Sequence, residues 1–172
     1  YLKEGRHRGP TQGYYDMERW MTVTAAPGAD PAKVVINHGG RPDIELLRFA
    51  RLTWQPSHNH HLVQPKRDGR QVWFDHVTGI GEDRKTAGHS WTNHADVYYT
   101  HTTVHNFKQG VQTARGSVYL VRHVNITRID EDTFRAKKLI ANCTVHNVDK
   151  EGGDGHPDLV QAGHVTHNMI VF

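Results

Sequence analysis

A histidine beside an aspartate, on a stretch that alternates like a strand, is the pattern in this chain best suited to moving protons. Asp75-His76 is one such pair, and His94-Ala-Asp96 is another, followed by Tyr98, His101 and His105. An imidazole held by a carboxylate works as a general base, with the carboxylate orienting the ring. Facing an enclosed interior, Asp75, His76, His94 and Asp96 would support dehydration, isomerisation or cyclisation without a metal. The plainer alternative is that, in a chain with 15 histidines, His and Asp meet by chance on a polar surface. Within 90–108, Thr92, His94, Asp96, Tyr98 and Thr100 share one parity. His101, Thr103, His105 and Phe107 share the other. Neither face is cleanly apolar, so one of them is expected against a polar interface or a wet pocket.

A second cluster, His58-Asn-His60-His61, has the look of a metal patch, since His58 and His60 share a side of an extended chain. No HExxH, CxxC or paired His-and-carboxylate motif accompanies it, so an exposed polar loop is the plainer reading and no metal is expected. The single cysteine, Cys143, excludes a disulfide framework or a cysteine-based zinc site within one chain. It is expected to be a small buried hydrophobe. Gly152-Gly-Asp-Gly155 has no helix pattern after it and does not make a phosphate cradle. Arg115, Arg122, Arg128, Arg135, Lys137 and Lys138 give basic stripes. These suit either ion pairs across a subunit contact or a solvated outer face. The tryptophans at 20, 54, 73 and 91 are expected as core or interface anchors.

These residues need elements to position them. Residues 1–13 are basic and Gly-rich and are expected as an arm on a single domain spanning 1–172. Residues 16–23 suit a short helix, with Met17, Trp20 and Met21 on one side. Asp43 is placed as the N-cap of a second helix over 44–54, whose Leu-Thr-Trp end suits strand as well. From there the chain reads as β, with strands at about 71–80, 90–108, 111–129, 133–148 and 164–172. The long alternating runs 117–129 and 133–146, joined at Asp130-Glu-Asp-Thr133, predict an antiparallel hairpin. No internal repeat is evident. The expected class is α+β: a strongly curved, mostly antiparallel sheet packed on a few N-terminal helices, cone-shaped.

The totals agree with one domain of 172 residues. With 36% hydrophobic residues, the chain has little apolar area to spare, which favours association. A formal net charge of +3, with basic and acidic residues intermixed, gives no support for nucleic-acid binding. No apolar run reaches the length of a membrane span and no signal peptide is visible, so a cytoplasmic location is expected. The histidines predict a steep rise in net charge between roughly pH 7 and 5, and with it pH-sensitive solubility or assembly.

The order of these pieces resembles the small (β) subunit of Rieske non-haem iron aromatic-ring-hydroxylating dioxygenases. The likeness rests on Arg48-Phe-Ala-Arg-Leu-Thr-Trp54-Gln-Pro56, on Arg70 to Ile80, on Thr133-Phe-Arg-Ala-Lys-Lys-Leu-Ile140 and on the ending His167-Asn-Met-Ile-Val-Phe172. Asp16-Met-Glu-Arg-Trp20 is similar to that family's tryptophan-bearing first helix. The chain departs from it in a curtailed helix, a His-rich run in place of an Arg-rich one, and a longer loop at 149–163. The resemblance implies a nuclear-transport-factor-like cone fold and a non-catalytic structural subunit in aromatic-hydrocarbon catabolism. It also implies a trimer of such subunits bound to catalytic α subunits that carry the Rieske cluster and mononuclear iron. No cofactor is then expected in this chain, and its lone cysteine cannot complete a Rieske ligand set. Two other functions stay open: a stand-alone enzyme of the cone fold using the His–Asp pair, and a histidine-rich structural protein of a larger assembly.

Overall fold

The computed structural model describes residues 1–10, 14–15, 18–40, 43–56, 70–82, 95–111, 117–130, 133–134, 139–148, 165–167 and 170–171. Its strands are β1 (Gly5–Arg8), β2 (Tyr14–Tyr15), β3 (Met21–Thr24), β4 (Val34–His38), β5 (Asp43–Ile44), β6 (Leu46–Trp54), β7 (Arg70–Ile80) and β8 (Ala95–Thr100). They continue with β9 (Thr103–Phe107), β10 (Val118–Arg122), β11 (Asn125–Ile129), β12 (Leu139–Ala141), β13 (Thr144–Val148), β14 (Val165–His167) and β15 (Ile170–Val171). The one helical element among the described residues is a 3-10 turn, Pro31–Lys33, capped by the Asp30 carboxylate on Ala32 N–H.

Among the described residues every ladder is parallel. One wall stacks the first half of β7 with β8, β10, β12 and β14. The other stacks the second half of β7 with β9, β11, β13 and β15. Below β7 lies β6, paired along both halves, and below β6 lie β3 on one half and β4 on the other, with β1 beyond β4. The chain is a parallel β-solenoid: each coil runs up one wall, turns a corner, runs up the next and climbs one rung.

The corners explain the sequence. Arg51, His76, His101, His123 and Asn142 all have φ between 49° and 54°, in the left-handed region, and they stand in one column. Asn and His are among the few side-chain-bearing residues that tolerate this conformation. Backbone hydrogen bonds carry across the corner from rung to rung, as in His101 N–H to Arg122 O at 3.0 Å and His123 N–H to Ala141 O at 3.1 Å. A buried residue follows each corner (Leu52, Val77, Thr102, Val124, Cys143), and then an outward polar one (Thr53, Thr78, Thr103, Asn125, Thr144).

Inside, register puts like on like. Phe49, Phe74, Tyr99, Val121 and Ile140 form one column, each wholly buried. The rings of Phe49 and Phe74 lie 5.8 Å apart, and those of Phe74 and Tyr99 5.0 Å apart. Such stacks add about 0.5–1.5 kcal/mol each beyond the apolar area they bury. On the second wall Trp54, Gly79, Val104, Ile126 and Val145 form a matching column.

This architecture overturns the α+β expectation and the nuclear-transport-factor-like cone with it. The segment 44–54, expected as a helix, is strand: Leu47 and Phe49 point inward while Arg48 and Arg51 do not, and pairing with β7 outweighs helix propensity. Of the helix expected over 16–23, Met21–Thr24 is strand β3, Glu18 and Arg19 form a bend, and 16–17 lie outside the described residues. The antiparallel hairpin is also wrong. Residues 117–129 and 139–148 each bend at their own corner, and their strands align parallel, Ile126 beside Val145. The long strands expected at 90–108, 111–129 and 133–148 are pairs broken at His101, His123 and Asn142. An internal repeat exists after all, its corners spaced about 19–25 residues apart. Of the expected N-terminal arm, Gly5–Arg8 pair with β4 and Leu2 bridges to Ala25; 11–13 lie outside the described residues. Among the described residues no helix is long and apolar enough to cross a membrane.

Candidate functional site

On the first wall, outward positions of β7 carry Trp73 and Asp75, flanking the inward Phe74. The rung below supplies Arg48, opposite Trp73, and the rung above supplies Thr100, opposite Asp75. Three coils therefore meet at one carboxylate. Asp75 Oδ2 binds the Arg48 guanidinium. Its Oδ1 accepts from the Thr100 hydroxyl at 2.7 Å and pairs with His76 Nδ1 at 3.0 Å. The Trp73 indole N–H in turn donates to Thr100 Oγ1 at 2.7 Å, and the Arg48 guanidinium lies 4.4 Å above the Trp73 ring. Burial on its own would raise the Asp75 pKa. The Thr100 hydrogen bond and the Arg48 charge outweigh it, so the carboxyl sits below its ordinary 3.8 and stays ionised.

The corner column adds imidazoles. His76, His101 and His123 rise one rung at a time with ring centroids 4.5 and 4.9 Å apart, each pair within 15° of parallel. The separation is that of adjacent strands. His101 Nδ1 stands 3.7 Å from Asp75 Oδ1, so both lower histidines turn the same nitrogen toward the same oxygen. In the tautomer whose Nδ1–H donates to Asp75, His76 directs its Nε2 lone pair away from the carboxylate, as a general base requires; in the other, its Nδ1 lone pair faces outward from the ring toward Asp75 Oδ1, where a cation could be held. Its side chain is 57% exposed, so the pair lies open to solvent and not in the enclosed interior expected for it.

Beside this cluster runs a column of half-buried aromatic rings. Tyr98 follows Trp73 one rung up, and Tyr119 stacks on Tyr98 at 5.9 Å and 20°. Trp20 closes edge-on against Trp73 (5.7 Å) and Tyr98 (6.2 Å). Burial, then the neighbouring Asp96 charge and Tyr119, push the Tyr98 phenol up.

Of the residues singled out from sequence, Asp75 and His76 are in contact. Asp96 does not join them: it faces Gln71, four residues before Thr100 and so about 13 Å along the strand. His94, His58, His60, His61 and Trp91 lie outside the described residues, as do Arg115, Arg135, Lys137 and Lys138. Arg122 and Arg128 are exposed but stand on different walls, so they do not share one basic stripe. The parity grouping of His101, Thr103, His105 and Phe107 also fails. The left-handed Asn106 turns a second corner, level with Arg128 and Asn147, so His105 points out to Thr127 (2.7 Å) while Phe107 is buried. Trp54 is core and Cys143 is buried, its thiol pushed up by burial. Sequence reasoning missed Arg48 and His123. For His123 the signal was there: His76-Val-Thr, His101-Thr-Thr, His123-Val-Asn and Asn142-Cys-Thr repeat one corner. For Arg48 there was none, since its partner lies 27 residues on.

Compared with protein-family models, with curated proteins and with solved structures, the chain gives no match.

Proposed function

We propose that this solenoid binds an extended glycan along its first wall, with Trp20, Trp73, Tyr98 and Tyr119 supplying ring faces and edges. Asp75, His76 and His101 would supply the polar contacts. The observation that carries this reading is the placement of Asp75. At the equivalent position the coil below has Ala50 and a coil above has Ala141. The repeat takes alanine there, so the carboxylate is not part of its recurring pattern, yet it is only 7% exposed and is held ionised by Arg48 and Thr100. A carboxylate fixed in its charged form where the repeat does not call for one marks a binding or reacting group.

A linear polymer is favoured because the site is itself linear. Aromatic rings climb the wall at the strand spacing, which is comparable with the length of one sugar residue, and flat rings suit the apolar faces of sugars. Fixed donors and acceptors beside them suit hydroxyl groups. The open Asp75–His76 pair keeps the proton-transfer chemistry of the stand-alone enzyme reading, on a solenoid in place of a cone. No feature of the described residues bears on the dioxygenase-subunit role, its trimer or its iron-bearing partner.

Electrophoresis of the native chain, in EDTA, through gels cast with neutral or acidic polysaccharides tests this. At least one glycan should retard the protein, and Trp73→Ala and Tyr98→Ala should each weaken that retardation about tenfold. Mobility unchanged by every glycan, or retardation of both variants equal to that of the native chain, defeats the reading.

A further inference from the structure

We infer that Asp75, His76 and His101 form a binding site for a divalent transition-metal ion of the zinc type. The inference does not rest on glycan binding. Ligand atoms of these three residues lie within 4.8 Å of one another. The two imidazole nitrogens stand 3.0 and 3.7 Å from the same carboxylate oxygen. Ligands held about 2.0–2.1 Å from a tetrahedral ion are about 3.4 Å apart, between those two values. Two imidazoles and a carboxylate are borderline-to-hard donors suited to zinc, and three protein ligands leave a position for water or substrate.

The surroundings have the form of a metal centre's outer layer. Arg48 on Oδ2 and the Thr100 hydroxyl, itself fixed by Trp73 N–H, orient the carboxylate as ligating carboxylates are usually oriented. His101 Nδ1 is too far from Oδ1 to hydrogen-bond with it directly, and 3.7 Å leaves room for both atoms to ligate one ion. The rings lie within 15° of parallel, so an ion in the plane of one is out of the plane of the other. Binding therefore turns one ring about its Cβ–Cγ bond, which side chains 57% and 49% exposed can do. The nearby Arg48 charge opposes the ion, which sets the affinity below that of closed structural zinc sites.

Calorimetric titration of Zn2+ alone into the full chain, stripped of metal, provides the test. The variants are His76→Asn, His101→Asn and the triple His58→Ala/His60→Ala/His61→Ala. Asparagine already occupies the same left-handed corner at Asn142, so the corner variants keep the backbone they replace. One site is expected, weakened at least tenfold in either corner variant and unchanged in the triple. Ring-nitrogen spectra should show zinc moving His76 and His101 while His105 stays put. Zinc binding that survives both corner variants, or vanishes in the triple, overturns the site. Because glycan retardation is measured in EDTA, failure of the metal site leaves that reading standing, and failure of glycan binding leaves this one.

Discussion

Arg48 and Asp75 form an ion pair across two coils, with the guanidinium also stacked on Trp73 and the carboxylate also accepting from Thr100. The Arg48 side chain is 32% exposed and that of Asp75 only 10%, so water screens this pair less than one on an open surface. The pair binds consecutive rungs to each other at the point where the aromatic and histidine columns meet.

Asp75→Ala should destabilise the chain by about 1–3 kcal/mol at neutral pH, because it leaves Arg48 and Thr100 without their acceptor. Arg48→Ala combined with it should cost less than the two separate losses together, as expected for groups in contact. The Asp75 carboxyl titrates below its ordinary 3.8, so its contribution is present above that pH and is lost as the pH falls through the lowered value. Urea melts in EDTA should therefore show wild type and Asp75→Ala converging from about pH 4 downward. A constant gap between them down to pH 2 refutes the assignment.

Arg51 occupies the left-handed corner with φ 51°, in the column otherwise filled by His76, His101, His123 and Asn142. A long unbranched side chain gains nothing from that conformation, whereas asparagine tolerates it. Arg51→Asn should stabilise the fold by about 0.5–1 kcal/mol and raise Tm by about 2–4 °C. A lower Tm would mean that the exposed arginine makes a contact worth more than the strain.

Gly110 sits against the next coil, where an added Cβ would lie 2.3 Å from Thr133 O. That same carbonyl accepts from Val111 N–H at 2.8 Å, so the coil cannot move away without losing the bond. Gly110→Ala should cost about 1–3 kcal/mol by overpacking. Thermal melting by circular dichroism measures it, and an unchanged Tm would show that the coils are looser there than their spacing indicates.

Much of the strand content was legible, because inward residues such as Val72, Phe74, Val97 and Tyr99 alternate with polar or amphipathic neighbours. Partner choice was not. Period-two alternation is the same for parallel and antiparallel strands, so the run around Asp130 looked like a hairpin turn. The helical reading of 44–54 failed for a related reason: Leu, Arg and Ala favour helix locally, and only the eight register pairs with β7 reverse that preference. In the candidate site, Asp75 and His76 were legible as a pair because they are adjacent in the chain.

By itself, the sequence determined which residues are apolar and alternate, where His and Asn recur, and that a carboxylate stands beside an imidazole. The tertiary structure alone decided that these recurrences are corners of one solenoid. It brought Arg48, Thr100 and His101 to Asp75, and it stacked His76, His101 and His123. The physical reason is that rung-to-rung register is a non-local hydrogen-bonding choice, satisfied between residues some 25 positions apart, on which the local pattern of side chains is silent.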